Sequence, residues 1–293
     1  MSLAGGDLTT QARVATWMST GPTPPSAILG QLIGSMTALI YSKLNRARIY
    51  SQSFTRTFDG VGNMQLVLPD YPVTNVMSVQ QGNALVPPSV LPNVGTPQPP
   101  GTNYGYGWRI PLWAGNLPGE NAVLEFVNGS FYVAAQNVKV TYQAGYLISQ
   151  EPALVPSTPG PYTVTVLQPQ GIWSRDNGVV YAASGIALTP VKTLTVAGQY
   201  IPPTDNAPGL YTFDAADEGA ALLISYSFVP ADLEEACIQL VAERYTYRGR
   251  VGDMSKSLGG QETMRFRLGI PSEIMCMIDP YVSVVYPQIG API

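Results

Sequence analysis

The sequence contains no histidine at all, and this absence excludes several classes of catalytic site. Ser-His-Asp and Cys-His nucleophiles need an imidazole base, and many zinc sites need an imidazole ligand. Only two cysteines are present, Cys237 and Cys276, which lie 39 residues apart without a CxxC pair. We interpret both as reduced, buried, small hydrophobic residues, consistent with synthesis in a cytosol. No enzymatic activity, metal or cofactor is therefore expected.

Charged side chains are also scarce, since Asp, Glu, Lys and Arg make up 12% of the 293 residues, about half of the usual share. Hydrophobic residues reach 45%, which excludes a disordered polymer kept in solution by its charge. The net charge of −4 argues against general affinity for nucleic acid, which depends on neutralising phosphates. A chain with so little charge is expected to cover much of its surface with partners, as an assembly subunit does.

One long stretch, from Val14 to Ser42, carries no charge and needs consideration as a membrane span. The turn Gly21-Pro22-Thr23-Pro24-Pro25 interrupts it, and polar residues recur in the part that follows. We therefore expect a core helix and no membrane span. The N-terminal residues 1–7 have neither a basic region nor an apolar run, so no signal peptide is expected.

Two helices are predicted at the N-terminal end. The first covers Leu8 to Met18 with Asp7 or Thr9 as its N-cap, and the second runs from the cap Ser26 to about Arg46. Apolar residues recur along the second helix at spacings of three and four: Ile28, Leu29, Leu32, Ile33, Met36, Leu39, Ile40 and Leu44. Small residues on its other face would let a neighbouring subunit's helix approach closely: Gly30, Gly34 and Ser35.

The sequence that follows the second helix has the alternating apolar and polar pattern of β-strands. Ser53 to Phe58 and Asn63 to Leu68 both alternate, and Asp59-Gly60 between them predicts a hairpin. Further strands are expected at Asn75 to Gln80, Trp108 to Leu112, Ala122 to Phe126, Asn137 to Tyr142, Tyr162 to Leu167, Gly178 to Ala182, Leu194 to Tyr200 and Tyr211 to Phe213.

A weak internal repeat suggests an inserted domain. Val138 to Tyr142 resembles Leu222 to Tyr226, since both are alternating strands that close on tyrosine, but only the second copy leads directly into a helix. We interpret residues Leu154 to Val229 as an all-β, sandwich-like domain inserted into a parent domain. One continuous β-domain is the alternative. The predicted divisions are thus 1–153, 154–229, 230–261 and 262–293.

The C-terminal region begins with a helix from about Pro230 to Arg248, with acidic residues in its first turn and arginines at its end, which suits the helix dipole. A flexible linker, Ser255 to Gln261, and an extended arm, Glu262 to Ile293, are expected to follow. The arm begins with an alternation that places three apolar residues opposite two arginines: Met264, Arg265, Phe266, Arg267 and Leu268. A lone strand is unstable in water, so this segment is predicted to add to the sheet edge of a partner.

Basic residues form two groups. The first, Lys43, Arg46, Arg48 and Arg56, suits contact with DNA or an acidic partner, or simply complements a helix C-terminus, which we favour. The second straddles the linker and the arm, where docking is slightly favoured over a solvated surface: Arg244, Arg248, Arg250, Lys256, Arg265 and Arg267.

No motif supports a catalytic or ligand-binding site. Gly60-Val61-Gly62 is too short for a dinucleotide fingerprint, and no phosphate-binding GxxxxGK[ST] occurs. The acidic run Asp214 to Glu218 lacks calcium-loop spacing and is interpreted as a solvated turn. Nothing selects a glycosidase pair among the unplaced carboxylates Asp70, Glu120, Glu125 and Asp176.

The order of these parts resembles that of the head-to-tail connector (adaptor) proteins of long-tailed bacteriophages. The resemblance rests on the two helices, on TRTFDGVGNMQLVLPDYPVTNVMSV, on NVKVTYQAGY and on VPADLEEACIQLVAERYTYRGRVGDMSKSLGGQETMRF. It covers roughly Leu8 to Val79, Asn137 to Tyr146 and Pro230 to Tyr281, and the segment 154–229 departs from the compact family pattern.

The resemblance implies an α+β fold: a small α-helical adaptor domain with a β-hairpin region, here carrying the inserted all-β domain. It implies a virion protein of the neck, made in the host cytoplasm, that forms a ring of about twelve copies under the portal protein. Such a ring extends the DNA channel and binds a tail-side stopper or tail terminator, while genomic DNA passes without sequence-specific binding. In that setting 264–268 would dock to the portal or a neighbouring subunit, and Lys43, Arg46 and Arg48 would face the channel.

The alternative function is a virion-surface carbohydrate-binding or decoration protein. Trp108, Trp113 and Trp173 would then be stacking platforms for sugar rings, although aromatics at such positions are more often part of a core.

Overall fold

The computed structural model describes residues 6–18, 25–89, 105–110, 123–157, 160–204, 207–247 and 270–283, with the backbone of 255–258 and 262–265. The chain forms two compact units, each built from two separate stretches of sequence. We call them the helical unit (Met1–Tyr50 with Leu147–Pro280) and the β unit (Ser51–Tyr146 with Tyr281–Ile293).

The described elements confirm the mixed α+β class. The helices are α1 (Gln11–Trp17), α2 (Ser26–Leu44), α3 (Ala231–Tyr247) and α4 (Ser272–Ile278), with 3-10 turns at Ala215–Asp217 and Asp279–Tyr281. The strands are β1 (Gln52–Gly60), β2 (Gln65–Val67), β3 (Val73–Gln81), β4 (Ala84–Val86), β5 (Gly107–Arg109), β6 (Val123–Val127), β7 (Ala134–Ala144), β8 (Leu147–Leu154), β9 (Thr163–Thr165), β10 (Gly171–Tyr181), β11 (Thr189–Pro190), β12 (Gln199–Ile201), β13 (Leu210–Phe213), β14 (Ala221–Pro230), β15 (Ser255–Leu258) and β16 (Glu262–Arg265).

Both N-terminal helices form where expected, but their N-caps differ from the predicted ones. Thr10, rather than Asp7 or Thr9, caps α1 through its side-chain oxygen. Pro25 precedes α2 and makes no side-chain hydrogen bond, while Ser26 is the first helical residue. Local sequence therefore located the helix starts to within a few residues.

The core of the helical layer lies between α2 and α3, and α1 packs on both. Buried residues of α2 follow the predicted apolar face: Leu29, Ile33, Met36, Ile40 and Leu44. They meet the predicted face of α3: Leu233, Ala236, Cys237, Leu240 and Val241. The α2 helix ends at Leu44, because Asn45 takes a left-handed φ of 53°.

A buried carboxylate joins α3 to the N-terminal residues. Asp232 and Glu234 lie in the first turn of α3 and Arg244 in the last, as expected from the helix dipole. Glu234 is buried, accepts a hydrogen bond from the Thr9 hydroxyl at 3.3 Å and forms an ion pair with Arg13. Burial raises the pKa of Glu234, and the contacts with Arg13 and Thr9 oppose that rise.

The prediction of an extended arm over 262–293 is wrong at 272–281, which is helical. Pro271 is the N-cap of α4, and both Ile274 and Ile278 are buried. These two residues are four positions apart, so a helix places them on one face, and α4 packs on α3. The four-residue spacing of Ile274 and Ile278 is visible in the sequence, but α4 has only two turns, so the helical pattern does not repeat further.

The helical unit also contains sheets of order β10-β14-β8 and β11-β12-β13-β9, and the two-stranded sheet β15-β16. The predicted insert begins at Leu154, but β8 begins at Leu147 and pairs with β14 from Leu154↔Ala221 to Leu147↔Ser227. Because β14 continues directly into α3, this sheet and the helices share one unit. The two compact units divide at 50/51, 146/147 and 280/281. The predicted domain divisions at 153/154, 229/230 and 261/262 stay predictions. Autonomous folding of 154–229 stays a prediction.

The β unit contains sheets of order β1-β7-β3-β4 and β2-β6-β5. The hairpin predicted around Asp59-Gly60 does not form, because β1 pairs with the eleven-residue β7 and β2 pairs with β6. The chain after β1 instead runs beside Phe131, whose carbonyl accepts from the Gly62 N–H at 2.7 Å. The core between these strands includes Leu66, Leu68, Val73, Val79, Leu124, Phe126, Phe131, Val138, Val140 and Tyr142.

The two strands of the internal repeat have equivalent places, since β7 and β14 are both flanked by strands on either side. Each buries its closing tyrosine against a carboxylate: Tyr142 donates to Asp70 and Tyr226 donates to Glu151, both at 2.6 Å. Burial is the main cause that raises the pKa of both tyrosines, so both stay protonated donors at neutral pH.

Candidate interaction surfaces

The outward face of α2 up to Ser42 consists of uncharged residues, most of them small. Six of them are exposed along four turns of the helix: Ser26, Ala27, Gln31, Ser35, Ala38 and Ser42. A surface helix of a soluble protein normally carries charges on its outward side. This face therefore resembles a helix–helix contact surface more than a solvated one.

The structure divides the predicted packing residues into two kinds. A Cβ atom on Gly30 would lie 3.1 Å from Nε2 of Gln11, so α1 of the same chain already occupies that notch. A Cβ atom on Gly34 would meet none of the residues that the structure describes within 4 Å. Ser35 is exposed, and its hydroxyl donates to the Gln31 carbonyl at 2.8 Å. Gly34 and Ser35 could thus contact a partner, whereas Gly30 packs against Gln11 of the same chain.

By length and composition alone, α2 could also cross a membrane, and 39% of its apolar window is buried inside the protein. A helix that packs on α1, α3 and α4 through its apolar face satisfies the same criteria. Its interpretation as a core helix remains a prediction.

The first basic group is only partly brought together. Lys43 and Arg48 are exposed at the C-terminal end of α2, with Arg46 half-buried between them. The fourth predicted member, Arg56, belongs to the β unit and donates two hydrogen bonds to Asp70, at 2.9 and 3.1 Å. Asp70 thus balances the charge of Arg56 within the β unit.

A residue distant in sequence joins this basic end of α2. The guanidinium of Arg175 on β10 lies 5.4 Å from the ring centroid of Tyr50, and that of Arg48 lies 5.8 Å from the ring of Tyr41. Both Arg48 and Tyr50 border Gly6, so the two cation–ring pairs are adjacent. Aromatic faces hold guanidinium groups without neutralising them. Sequence reasoning missed Arg175 because only the fold brings β10 to this place.

An open groove lies between α1, α3 and α4, with a volume of about 480 Å³. Its lining is largely apolar and includes Trp17, Ala242, Pro271 and Ile274, together with Glu243 and Glu273. Trp17 is 49% exposed there. Sequence reasoning missed this groove, because its walls come from three separate helices.

The predicted docking strand is not a lone strand. Residues 262–265 pair antiparallel with 255–258, from Ser255↔Arg265 to Leu258↔Glu262. The expectation of a flexible linker is therefore wrong at 255–258. Met264 and Arg265 belong to this hairpin, while the other docking residues, Phe266, Arg267 and Leu268, lie outside the described residues.

The tryptophans give little support to sugar stacking. Trp173 is buried and its indole N–H donates to the Tyr211 hydroxyl at 3.2 Å, so it is a core residue. Trp108 is half-buried and packs against the core of the β unit. Trp113 lies outside the described residues.

The carboxylates considered for catalysis have structural partners. Asp70 binds Arg56 and Tyr142, and Glu125 accepts from Arg109 at 2.6 Å. In the helical unit, Asp176 accepts from the hydroxyls of two buried tyrosines. Glu120 lies outside the described residues.

The structure also shows the surroundings of the remaining candidates for metal or thiol chemistry. Asp217 is buried and accepts from the Tyr181 hydroxyl and the Gly198 N–H, so the predicted solvated turn is wrong at this residue. Cys237 is buried as predicted, but Cys276 is exposed on α4. In the described part of the chain, no three His, Cys, Asp or Glu side chains are grouped to hold a metal ion.

Comparison with known proteins adds no relative: no family model matches the chain, and no curated protein matches it.

Proposed function

We propose that the chain is a structural subunit of a phage head-to-tail connector (adaptor). About twelve copies form a ring under the portal protein in the neck of the virion. The ring extends the DNA channel and provides the platform on which a tail-side stopper or tail terminator docks.

The observation that carries this proposal is the outward face of α2. The outward face of this 19-residue helix carries no charge until Lys43, and Gly34 with the small residues around it would let another helix approach closely. Lateral packing of identical subunits covers this face on every copy of a closed ring. The order of helices and strands, which resembles that of the adaptor family, favours this kind of ring.

The basic end of α2 provides the contact with DNA in this proposal. Lys43, Arg46, Arg48 and Arg175 face the channel and meet phosphates through charge alone, without reading bases. The overall charge of −4 keeps the passing genome from adhering to the rest of the ring.

The test measures the size of the purified protein, alone and with its portal protein, by native mass spectrometry and negative-stain microscopy. Wild-type protein should form closed rings or bind the portal as a ring. Ala38→Arg, which places a charge on the outward face of α2, should abolish rings while the monomer stays folded. The matched control is Ala183→Arg at an exposed turn, which should leave rings intact. A wild-type chain that is strictly monomeric with and without portal would refute the proposal.

A further inference from the structure

One end of the β unit carries three large apolar side chains that are exposed to solvent. Met64 is 50% exposed, Tyr132 67% and Val133 77%. We call these three residues the tip. The sequence carries no charge from Gly60 to Pro69 or from Phe126 to Val138, so both segments that form the tip are neutral. Exposed apolar side chains that are grouped in this way mark an interaction surface.

Hydrogen bonds hold the backbone beneath the tip in place. The Gly62 N–H donates to the Phe131 carbonyl at 2.7 Å, and the Phe131 N–H donates to the Asn63 carbonyl at 2.9 Å. The Asn137 side chain donates to the Tyr132 carbonyl at 2.8 Å. A surface that is ordered before binding loses little conformational entropy when it binds, so the tip is suited to docking.

The groove between α1, α3 and α4 has a chemistry that complements the tip. Its lining is largely apolar, and Glu243 lies half-buried within it. The described part of the chain supplies the Glu243 carboxylate with neither a hydrogen-bond donor nor a cation. A carboxylate covered by an apolar occupant loses its water, so the occupant must bring a donor of its own. The same carboxylate repels phosphate, which disfavours nucleic acid and anionic lipid as occupants.

Tyrosine combines an apolar ring with a hydrogen-bond donor and therefore meets both requirements. The protein uses this pairing elsewhere, since Tyr142, Tyr200 and Tyr226 each donate to a carboxylate at 2.6 Å. Tyr132 is the one residue of the tip whose side chain can donate a hydrogen bond.

We propose that the groove of one copy binds the tip of a second copy. The Tyr132 hydroxyl donates to the Glu243 carboxylate across this interface, while Val133 packs on the exposed ring of Trp17. The inference rests on the proposed ring, because each copy carries one tip and one groove. Docking of these unlike surfaces around a closed ring fills every groove and covers every tip.

The first test is a double-mutant cycle on self-association of the full chain, measured by sedimentation. Tyr132→Phe and Glu243→Met should each weaken association by about tenfold, which corresponds to about 1.4 kcal/mol, because each leaves one polar group unpaired at the interface. The double variant should recover most of that loss, since both partners are then apolar. Tyr162→Phe removes a phenol hydroxyl outside the groove and is the control, which should change little. A double variant no better than its worse parent overturns the proposal.

The second test places a charge on the tip. Val133→Asp should weaken self-association at least tenfold, because it removes an apolar contact and brings a carboxylate towards Glu243. The matched control is Leu85→Asp on β4, where the side chain is 66% exposed and lies outside the tip. Equal effects of the two substitutions overturn the proposal.

The third test shows whether the tip binds its own chain or another one. Thr246 is exposed and lines the groove. Val133→Cys and Thr246→Cys are made in separate chains, both in a Cys276→Ser background, and one chain carries a size tag. Oxidation of the mixture should give a disulfide-linked pair of unlike chains, and neither variant alone should give it. No cross-link in the mixture, or an internally cross-linked monomer when both cysteines are in one chain, overturns docking between copies.

These readouts separate the inference from the proposed function. Portal-bound rings without coupling or cross-linking refute tip docking alone. Coupled, cross-linked oligomers that do not bind portal refute the connector function alone. A wild-type chain that stays monomeric on its own refutes tip docking, and ring formation with portal then decides the function independently.

Discussion

Replacing Gly34 by alanine should stabilise the monomer and weaken the ring. Glycine in a helix interior costs about 1 kcal/mol relative to alanine, mainly through backbone entropy. The added methyl group meets none of the described residues within 4 Å, so we expect packing to change this amount little. We expect the free energy of unfolding to rise by about 0.5–1 kcal/mol.

The matched control is Gly30→Ala on the same helix. Its methyl group would lie 3.1 Å from Nε2 of Gln11, which must shift by a few tenths of an ångström. The same gain in helix propensity is then partly cancelled, so the increase in stability should be smaller than for Gly34→Ala.

The assay is urea unfolding at a protein concentration low enough to keep the chain monomeric, followed by sedimentation at high concentration. A gain of this size corresponds to a rise in Tm of about 1–4 °C for a unit of 150–250 residues. Ring association should weaken for Gly34→Ala, because the methyl group enters the contact between helices. If Gly34→Ala destabilises the monomer, or leaves association unchanged, the notch is not an open contact site.

Two further predictions concern titratable groups of the helical unit. Burial raises the pKa of the Cys237 thiol to about 12, so a maleimide at pH 7 should label only Cys276 in the native chain and both thiols in denaturant. Labelling that persists in native Cys276→Ser protein would contradict this. Burial raises the pKa of Glu234 above its ordinary value of 4.5, so the folded state holds more protons than the unfolded state above pH 4.5. The free energy of unfolding should therefore fall as pH rises from about 4.5 through the folded pKa, and Glu234→Gln should remove this part of the slope. Equal slopes in urea-unfolding series of both proteins would show that Glu234 does not cause it.

Local patterns in the sequence were enough to locate the long helices. The 3.6-residue period of α2 and α3, with acidic residues starting α3 and an arginine near its end, correctly predicted their buried faces. The polar residues and prolines within the uncharged stretch from Val14 to Ser42 also led to the prediction of a core helix there and not of a membrane span. These signals are local, since helix contacts repeat within four residues.

Pairing between strands required the tertiary structure. Asp59-Gly60 has the composition of a hairpin turn, yet β1 pairs with β7, about 85 residues away, because a nine-residue strand gains more from the longer partner than from the three-residue β2. Strand alternation identifies a strand and its faces but not its partner, because the period of two is the same in every candidate.

Some features of the candidate surfaces were likewise predicted from the sequence, and others appear only in the tertiary structure. Composition and spacing alone placed Gly34 and Ser35 on a charge-free helix face and showed that the chain around 264–268 is basic and alternating. Packing in three dimensions places Gln11 against Gly30, brings Arg175 to the end of α2, and forms a largely apolar groove from three helices. These features combine residues far apart in the chain, so the distances between them follow from packing and not from spacing in the sequence.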